Sequence, residues 1–313
     1  MIRLYDYILE RQSISFQGSN ANYGNCIILA GGPGSGKGYA KDHRILAQFK
    51  TFDVDELKKM YIKMVEKGKI PEDHKEYDLR DPDDTTELHM KVKDRGWKKK
   101  QRKAFWDDRQ KQNAKTLPNV VFDMVSDDPK DIYEVVKYAK PLGYKVSLVW
   151  VCCHIDTARA QNQNRGRRVH DAVIVKGHKG AYEVIMGLLN NKYPELNDAI
   201  DEAWITFTAG YGRMLTGEWE KNPVLKIPKD KEGNFVFKEK TLVEDFFKEQ
   251  MPEDPDWDKK QKDEEERKEK VKNAKAKTDH LKAAKFDESL QLFESQDNFI
   301  YEFIREIQEE LLY

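Results

Sequence analysis

Up to about residue 210, the apolar residues fall into short, nearly continuous runs, separated by stretches with helical spacing. The runs are 26–30 (Cys26, Ile27, Ile28, Leu29, Ala30), 120–125 (Val120, Val121, Phe122, Asp123, Met124, Val125), 145–152 and 204–208. Runs without polar alternation suit strands buried on both faces, as in a parallel sheet. A shorter strand ends at Phe52, Asp53, Val54 and Asp55. Between the runs, helices are predicted from residue 37 to about Phe49, over 55–67 with Leu57, Met60, Tyr61 and Met64 on one face, and over 129–140, 156–164 and 178–191. This alternation predicts an α/β fold, a parallel five-stranded sheet flanked by helices and joined by right-handed crossovers.

The remaining segments divide the chain. Leu4, Tyr7, Ile8 and Arg11 mark a short helix within residues 1–23. The core is expected over 24–215 and carries an inserted segment at 71–116. Residues 71–94, rich in Asp, Pro and Thr, read as a loop, and 95–116 as a basic helical stretch. A lid is expected at 154–180. Residues 216–252 form a C-terminal extension, and 253–285, dominated by Lys, Glu and Asp, a charged linker or solvated helix. Helical periodicity returns over 286–313, through Leu290, Leu292, Phe293, Phe299, Phe303, Ile304, Ile307 and Leu311. That stripe must dock on the core, the N-terminal helix or a protein partner.

Composition narrows the surroundings more than the chemistry. The 313 residues are 39% hydrophobic and 35% charged, with a net charge of -1, so no global attraction to nucleic acid or membrane is expected. The 3 cysteines lie in apolar runs without metal-ligand spacing, which fits a reducing compartment. With no apolar run of spanning length and no secretory pattern after Met1, the expected location is the cytoplasm.

The chemistry concentrates after the first strand, at Gly31, Gly32, Pro33, Gly34, Ser35, Gly36, Lys37 and Gly38. Glycines let successive amides converge on phosphate oxygens, the lysine reaches the outer phosphates, and the next helix turns its positive end to the anion. The spacing is that of a P-loop, with Gly32, Gly34, Ser35, Gly36, Lys37, Gly38 and Tyr39 as contacts to a nucleoside triphosphate. Gly38 stands where a Ser or Thr usually touches Mg²⁺. Asp53 and Asp55 follow the second strand at the carboxyl edge that faces such a loop. Asp55 is the candidate base and Asp53 a metal-shell candidate, with an N-cap as the competing role for Asp55. Asp123 ends an apolar strand in a Walker B-like pattern and is the second metal candidate. Ser126, Asp127 and Asp128 would contact substrate or cap the next helix.

Arg159, Arg165, Arg167 and Arg168 follow the fourth strand, where a kinase carries cations over the transferring phosphoryl group. A solvated face or a nucleic-acid patch is the alternative. His170 and His178 read as surface or packing residues. Arg95, Lys98, Lys99, Lys100, Arg102 and Lys103 alternate with Trp97, Phe105 and Trp106. Basic residues with aromatics can grip nucleic acid, although an amphipathic helix with solvated charges explains them better.

These features together resemble the zeta-toxin and polynucleotide-kinase branch of P-loop kinases. The resemblance rests on the glycine loop, Asp53 to Asp55, Asn119 to Asp123, Gly143 to Val146, and Arg159 to Arg168, and covers residues 24–210 only. It implies an ATP- and Mg²⁺-dependent kinase that phosphorylates a hydroxyl of a nucleotide, nucleotide sugar or polynucleotide end. Asp55 would activate that hydroxyl, and lid arginines would fall among Arg159, Arg165 and Arg168. The Lys37-Gly38 ending is similar instead to adenylate and cytidylate kinases, which place Thr where this chain has Tyr39. Short helical ends around a kinase core resemble phage-encoded proteins, for which the location would be the host cytoplasm. The rival class is a nucleotide-binding interaction or virion-associated protein without catalysis.

Overall fold

The computed structural model describes residues 24–45, 49–110, 117–208 and 224–250. The expected N-terminal helix, the charged linker and the C-terminal amphipathic helix lie outside these residues.

The strands are β1 (Asn25–Ala30), β2 (Lys50–Asp53), β3 (Val120–Asp123), β4 (Lys145–Cys153), β5 (Glu202–Thr208) and β6 (Val224–Ile227). They form one sheet in the order β2-β3-β1-β4-β5-β6. The first five run parallel, and β6 is antiparallel to β5. The expectation of five strands is therefore corrected to six. β6 is four residues long and bounded in sequence by Pro223 and Pro228, a composition that sequence reading demotes but a sheet edge accepts. β1, the central strand, is buried at every position.

Side chains alternate between two faces, as the pleat requires. Cys26, Ile28, Val120, Phe122, Val146, Leu148, Trp150, Ala203, Ile205 and Phe207 join the larger core. Ile27, Leu29, Val121, Val149, Val151 and Trp204 join the smaller core, with Ala40 of α1 (Lys37–Arg44). The larger core is closed by α4 (Trp97–Arg109), α5 (Pro129–Ala139), α7 (Asp171–Leu189), α8 (Pro194–Ala199) and α9 (Lys240–Gln250). Val243, Phe246 and Phe247 of α9 belong to it, so the C-terminal extension completes the same core.

Other boundaries also differ from the sequence reading. α1 ends at Arg44 rather than near Phe49, because Ile45 turns to an extended conformation. The segment expected as a loop at 71–94 contains α3 (Pro82–Asp94). Its N-cap is Asp81, whose side chain accepts from the Asp83 amide, followed by Pro82 at the first turn. α7 begins at Asp171 rather than 178, and β3 ends at Asp123 rather than Val125. α2 (Val54–Glu66) and α6 (Ile155–Gln163) lie where expected. Among the described residues, no helix is long and apolar enough to cross a membrane.

Candidate active site

The glycine loop joins β1 to α1 at the carboxyl edge of the sheet. Strand order reverses about β1, with β3 on one side and β4 on the other, which opens a crevice at that edge. Gly34 and Gly36 have φ of +77° and +90°, a left-handed backbone that favours glycine. The loop is also pressed from outside. A Cβ at Gly34 would lie 2.4 Å from the Ala158 carbonyl oxygen, and one at Gly32 would lie 2.2 Å from the His178 ring. A Cβ at Gly38 would meet nothing within 4 Å, so space does not demand glycine there. Tyr39 is exposed, and Ser35 is buried with no hydrogen-bond partner for its hydroxyl.

Lys37 folds back along the loop. Its Nζ donates to the Gly31 carbonyl at 2.7 Å and lies 3.7 Å from Asp123 Oδ1. Asp123 stands beside Asp53 because β2 and β3 pair in register at those two residues. Burial, and then the carboxylates of Asp55 and Asp123, push the Asp53 carboxyl up to about 6. Burial also raises Asp123, against the opposing pull of Lys37. Two crowded, desolvated carboxylates at the strand ends form a donor set that suits a hard divalent cation. Among the described residues, no group of three or more His, Cys, Asp or Glu is placed to hold a metal ion.

The N-cap of α2 is Asp53, not Asp55. Asp53 Oδ1 accepts from the Asp55 amide at 2.8 Å. The Asp55 carboxylate turns instead to two cations, Arg167 at 2.7 Å and Lys58 at 3.5 Å. The Lys58 side chain is only 5% exposed, and burial lowers its pKa.

The arginines separate. Arg167, outside the candidate set of Arg159, Arg165 and Arg168, is the one against Asp55. Arg165 lies within electrostatic reach of Asp123. Arg159 is held by Asp171 through two bonds of 2.7 and 2.9 Å, and by Asp156. Arg168 is exposed, and its backbone amide donates to the Leu79 carbonyl. The structure thus brings together Lys37, Asp53, Asp55, Asp123, Arg165 and Arg167, and ties Arg159 elsewhere.

Residues outside the glycine loop and its carboxylates complete the picture. Asp128 caps α5 by accepting from the Lys130 amide. Ser126 is fully buried, has φ of +62°, and its hydroxyl has no partner. His170 is exposed and pairs with Asp83, as a surface residue would. His178 is buried and contacts Pro33. The basic helix loses the aromatic half of its nucleic-acid grip. Trp97, Phe105 and Trp106 of α4 are all 2% exposed or less, because they form the core against Phe52, Phe122 and Tyr61. Lys98 pairs with Asp131, and buried Arg102 stacks over Phe122.

No family model matches the chain, and no curated protein matches it. Among solved structures, a chain of the AvrRxo1-ORF1:-ORF2 complex with ATP aligns at 12% identity with a TM-score of 0.45, covering 76% of this chain and 66% of that one. The same complex with sulphate ions aligns at 12% identity with a TM-score of 0.42, covering 72% and 63%. A chain of the PezAT toxin-antitoxin system of Streptococcus pneumoniae aligns at 15% identity with a TM-score of 0.36, covering 63% and 70%. The chain spans slightly under two thirds of the AvrRxo1 chains it matches. Likenesses this remote leave the assignment of the site to the chain's own residues.

Proposed function

We propose that this chain is a kinase that moves the γ-phosphate of ATP to a hydroxyl group of a nucleotide, nucleotide sugar or polynucleotide end. The observation that carries the reading is the meeting of Lys37, Asp123, Asp53 and Asp55 at one edge of the sheet, beside the glycine loop. A phosphate-binding loop alone would suit any nucleotide binder. A carboxylate turned into the same cleft, with arginines facing it, suits transfer.

In this reading the amides from Gly34 to Tyr39, with Lys37, hold the triphosphate. Asp53 and Asp123 would hold Mg²⁺ together with phosphate oxygens and water, since Gly38 supplies no hydroxyl. When bound, the cation neutralises charge on the β- and γ-phosphates. Asp55 takes the proton of the acceptor hydroxyl as that oxygen bonds to the γ-phosphorus. The bond from phosphorus to the bridging oxygen breaks, and ADP leaves. Asp55 retains lone pairs for this proton while bound to Arg167 and Lys58, because each carboxylate oxygen accepts more than one bond. Arg167 and Arg165 spread positive charge over the transferred group.

The test is transfer of labelled γ-phosphate across a panel of nucleosides, nucleotide sugars and oligonucleotides. Asp55→Asn is expected to lose about 100- to 10,000-fold in kcat while ATP binding persists. Lys37→Met is expected to lose ATP binding and transfer together. ATP binding with no acceptor ever phosphorylated would favour a non-catalytic nucleotide-binding protein. Undiminished transfer by Asp55→Asn would remove Asp55 as base.

A further inference from the structure

Two side chains grip the glycine loop from behind. From α7, His178 Nε2 lies 3.0 Å from the Pro33 carbonyl oxygen. A carbonyl only accepts, so this nitrogen carries the proton. Burial holds the imidazole neutral by pushing its pKa down to about 4. From the end of β5, Thr208 Oγ1 donates to the Ser35 carbonyl at 2.6 Å. The same threonine closes on Gly36, where a Cβ would lie 3.0 Å from Oγ1.

The two bonds take alternate carbonyls of the loop. In a trans peptide, the carbonyl and the following N–H lie in one plane and point in opposite directions. Drawing the Pro33 carbonyl towards α7 turns the Gly34 amide away from that helix. Drawing the Ser35 carbonyl towards β5 turns the Gly36 amide away from the strand. Glycine imposes little preference of its own at Gly34 and Gly36, so beside the loop's own bond from the Ser35 amide to the Gly32 carbonyl, bonds from outside help to set these directions. The loop needs that direction, because a phosphate oxygen is held by amides that already point at it.

We propose that His178 and Thr208 are positioning residues that set the direction of the Gly34 and Gly36 amides and so preorganise the loop for phosphate. This inference rests on the reading of the loop as a triphosphate site. The competing role is packing alone, since Gly177 and Gly180 of the same helix press on Pro33 and Asp127.

The full chain is titrated with ATP by calorimetry, wild type first. His178→Leu and Thr208→Val remove each donor at similar volume. His178→Gln and Thr208→Ser keep a donor. Each removal is expected to weaken ATP binding about tenfold, the worth of one hydrogen bond to a charged group. Each donor-keeping variant is expected to recover most of it. Thermal unfolding checks every variant, and Thr208→Val, isosteric at a strand end, carries the test if His178→Leu does not fold. Removal variants that bind ATP within about twofold of wild type would overturn the proposal. Equal losses in the removal and donor-keeping variants would overturn it too, in favour of packing. A wild type that binds no ATP fails the triphosphate reading itself, a result visible before any variant is made.

Discussion

Asp55 faces two cations, and the way each arginine is partnered separates Arg167 from Arg159. Lys58 is buried on α2 beside it, and Arg167 reaches it from the loop after α6. Asp53 lies within electrostatic reach of both cations as well, but Arg167 has a direct contact with one carboxylate only and keeps donors for an anion. Arg159 is in the opposite state. Asp171 and Asp156 already satisfy it, and an arginine held by two carboxylates has little left to offer a phosphoryl group. Arg167→Gln is expected to lower kcat about 100-fold with ATP affinity unchanged. Arg159→Gln is expected to stay within about threefold of wild type, since an exposed ion pair contributes little. Steady-state kinetics with saturating acceptor decides between them. A larger loss for Arg159→Gln would reverse the assignment.

Most of the sheet was readable from the chain because its strands are buried on both faces, which leaves continuous or nearly continuous apolar runs such as Cys26 to Ala30 and Val146 to Cys153. The loop was readable because its glycines and lysine fall in eight consecutive residues directly after a strand. Asp53 and Asp123 were readable because each ends a strand. The pairing of Asp55 with Arg167 was not, since it joins residues distant in sequence through tertiary packing alone. The start of α7 was hidden by Val173, Val175 and Gly177, poor helix formers that packing overrides. Gly177 is there because Pro33 presses against it, 2.5 Å from where a Cβ would be. The inserted segment was misread for a similar reason. Its polar residues serve an internal network centred on Asp73, which accepts from Tyr61 and Tyr77 at 2.7 Å each, and from Lys91 at 3.0 Å. Burial alone would raise the Asp73 carboxyl, but these bonds outweigh it and hold the group ionised below the usual carboxylate range. Asp73→Ala removes the shared acceptor of Tyr61, Tyr77 and Lys91 and should cost about 1–3 kcal/mol of stability. Urea unfolding measures that loss. A change under about 0.5 kcal/mol would show that the insertion is held by its apolar contacts instead.

The whole molecule decides whether an acceptor is gripped by its backbone or recognised in the cleft. With a net charge of -1 the chain has no general attraction to nucleic acid, and only a local patch could supply one. The basic face of α4 is the obvious patch. Its aromatics, however, are core residues, Lys98 is paired with Asp131, and Lys103 lies 3.5 Å from Asp107. Single-strand binding needs stacking surfaces as well as cations, because stacking supplies about 1–3 kcal/mol per base. The helix offers cations but keeps its own aromatics in the core, which leaves exposed Tyr138 of α5, stacked on Trp106, as its nearest open ring. Fluorescence anisotropy with a labelled single-stranded oligonucleotide should therefore show weak binding at 150 mM salt, roughly the physiological value. Replacing Lys98, Lys99 and Lys100 together by alanine should leave both that binding and the transfer rate unchanged. The opposite result has a definite signature. Each phosphate held by this face would add about 0.7 to the slope of log affinity against log salt, and the triple variant would flatten that slope. Such a slope would make α4 part of an extended polynucleotide track. Its absence would leave acceptor choice, in the proposed kinase, to the groups around Asp55, Lys58 and Arg167.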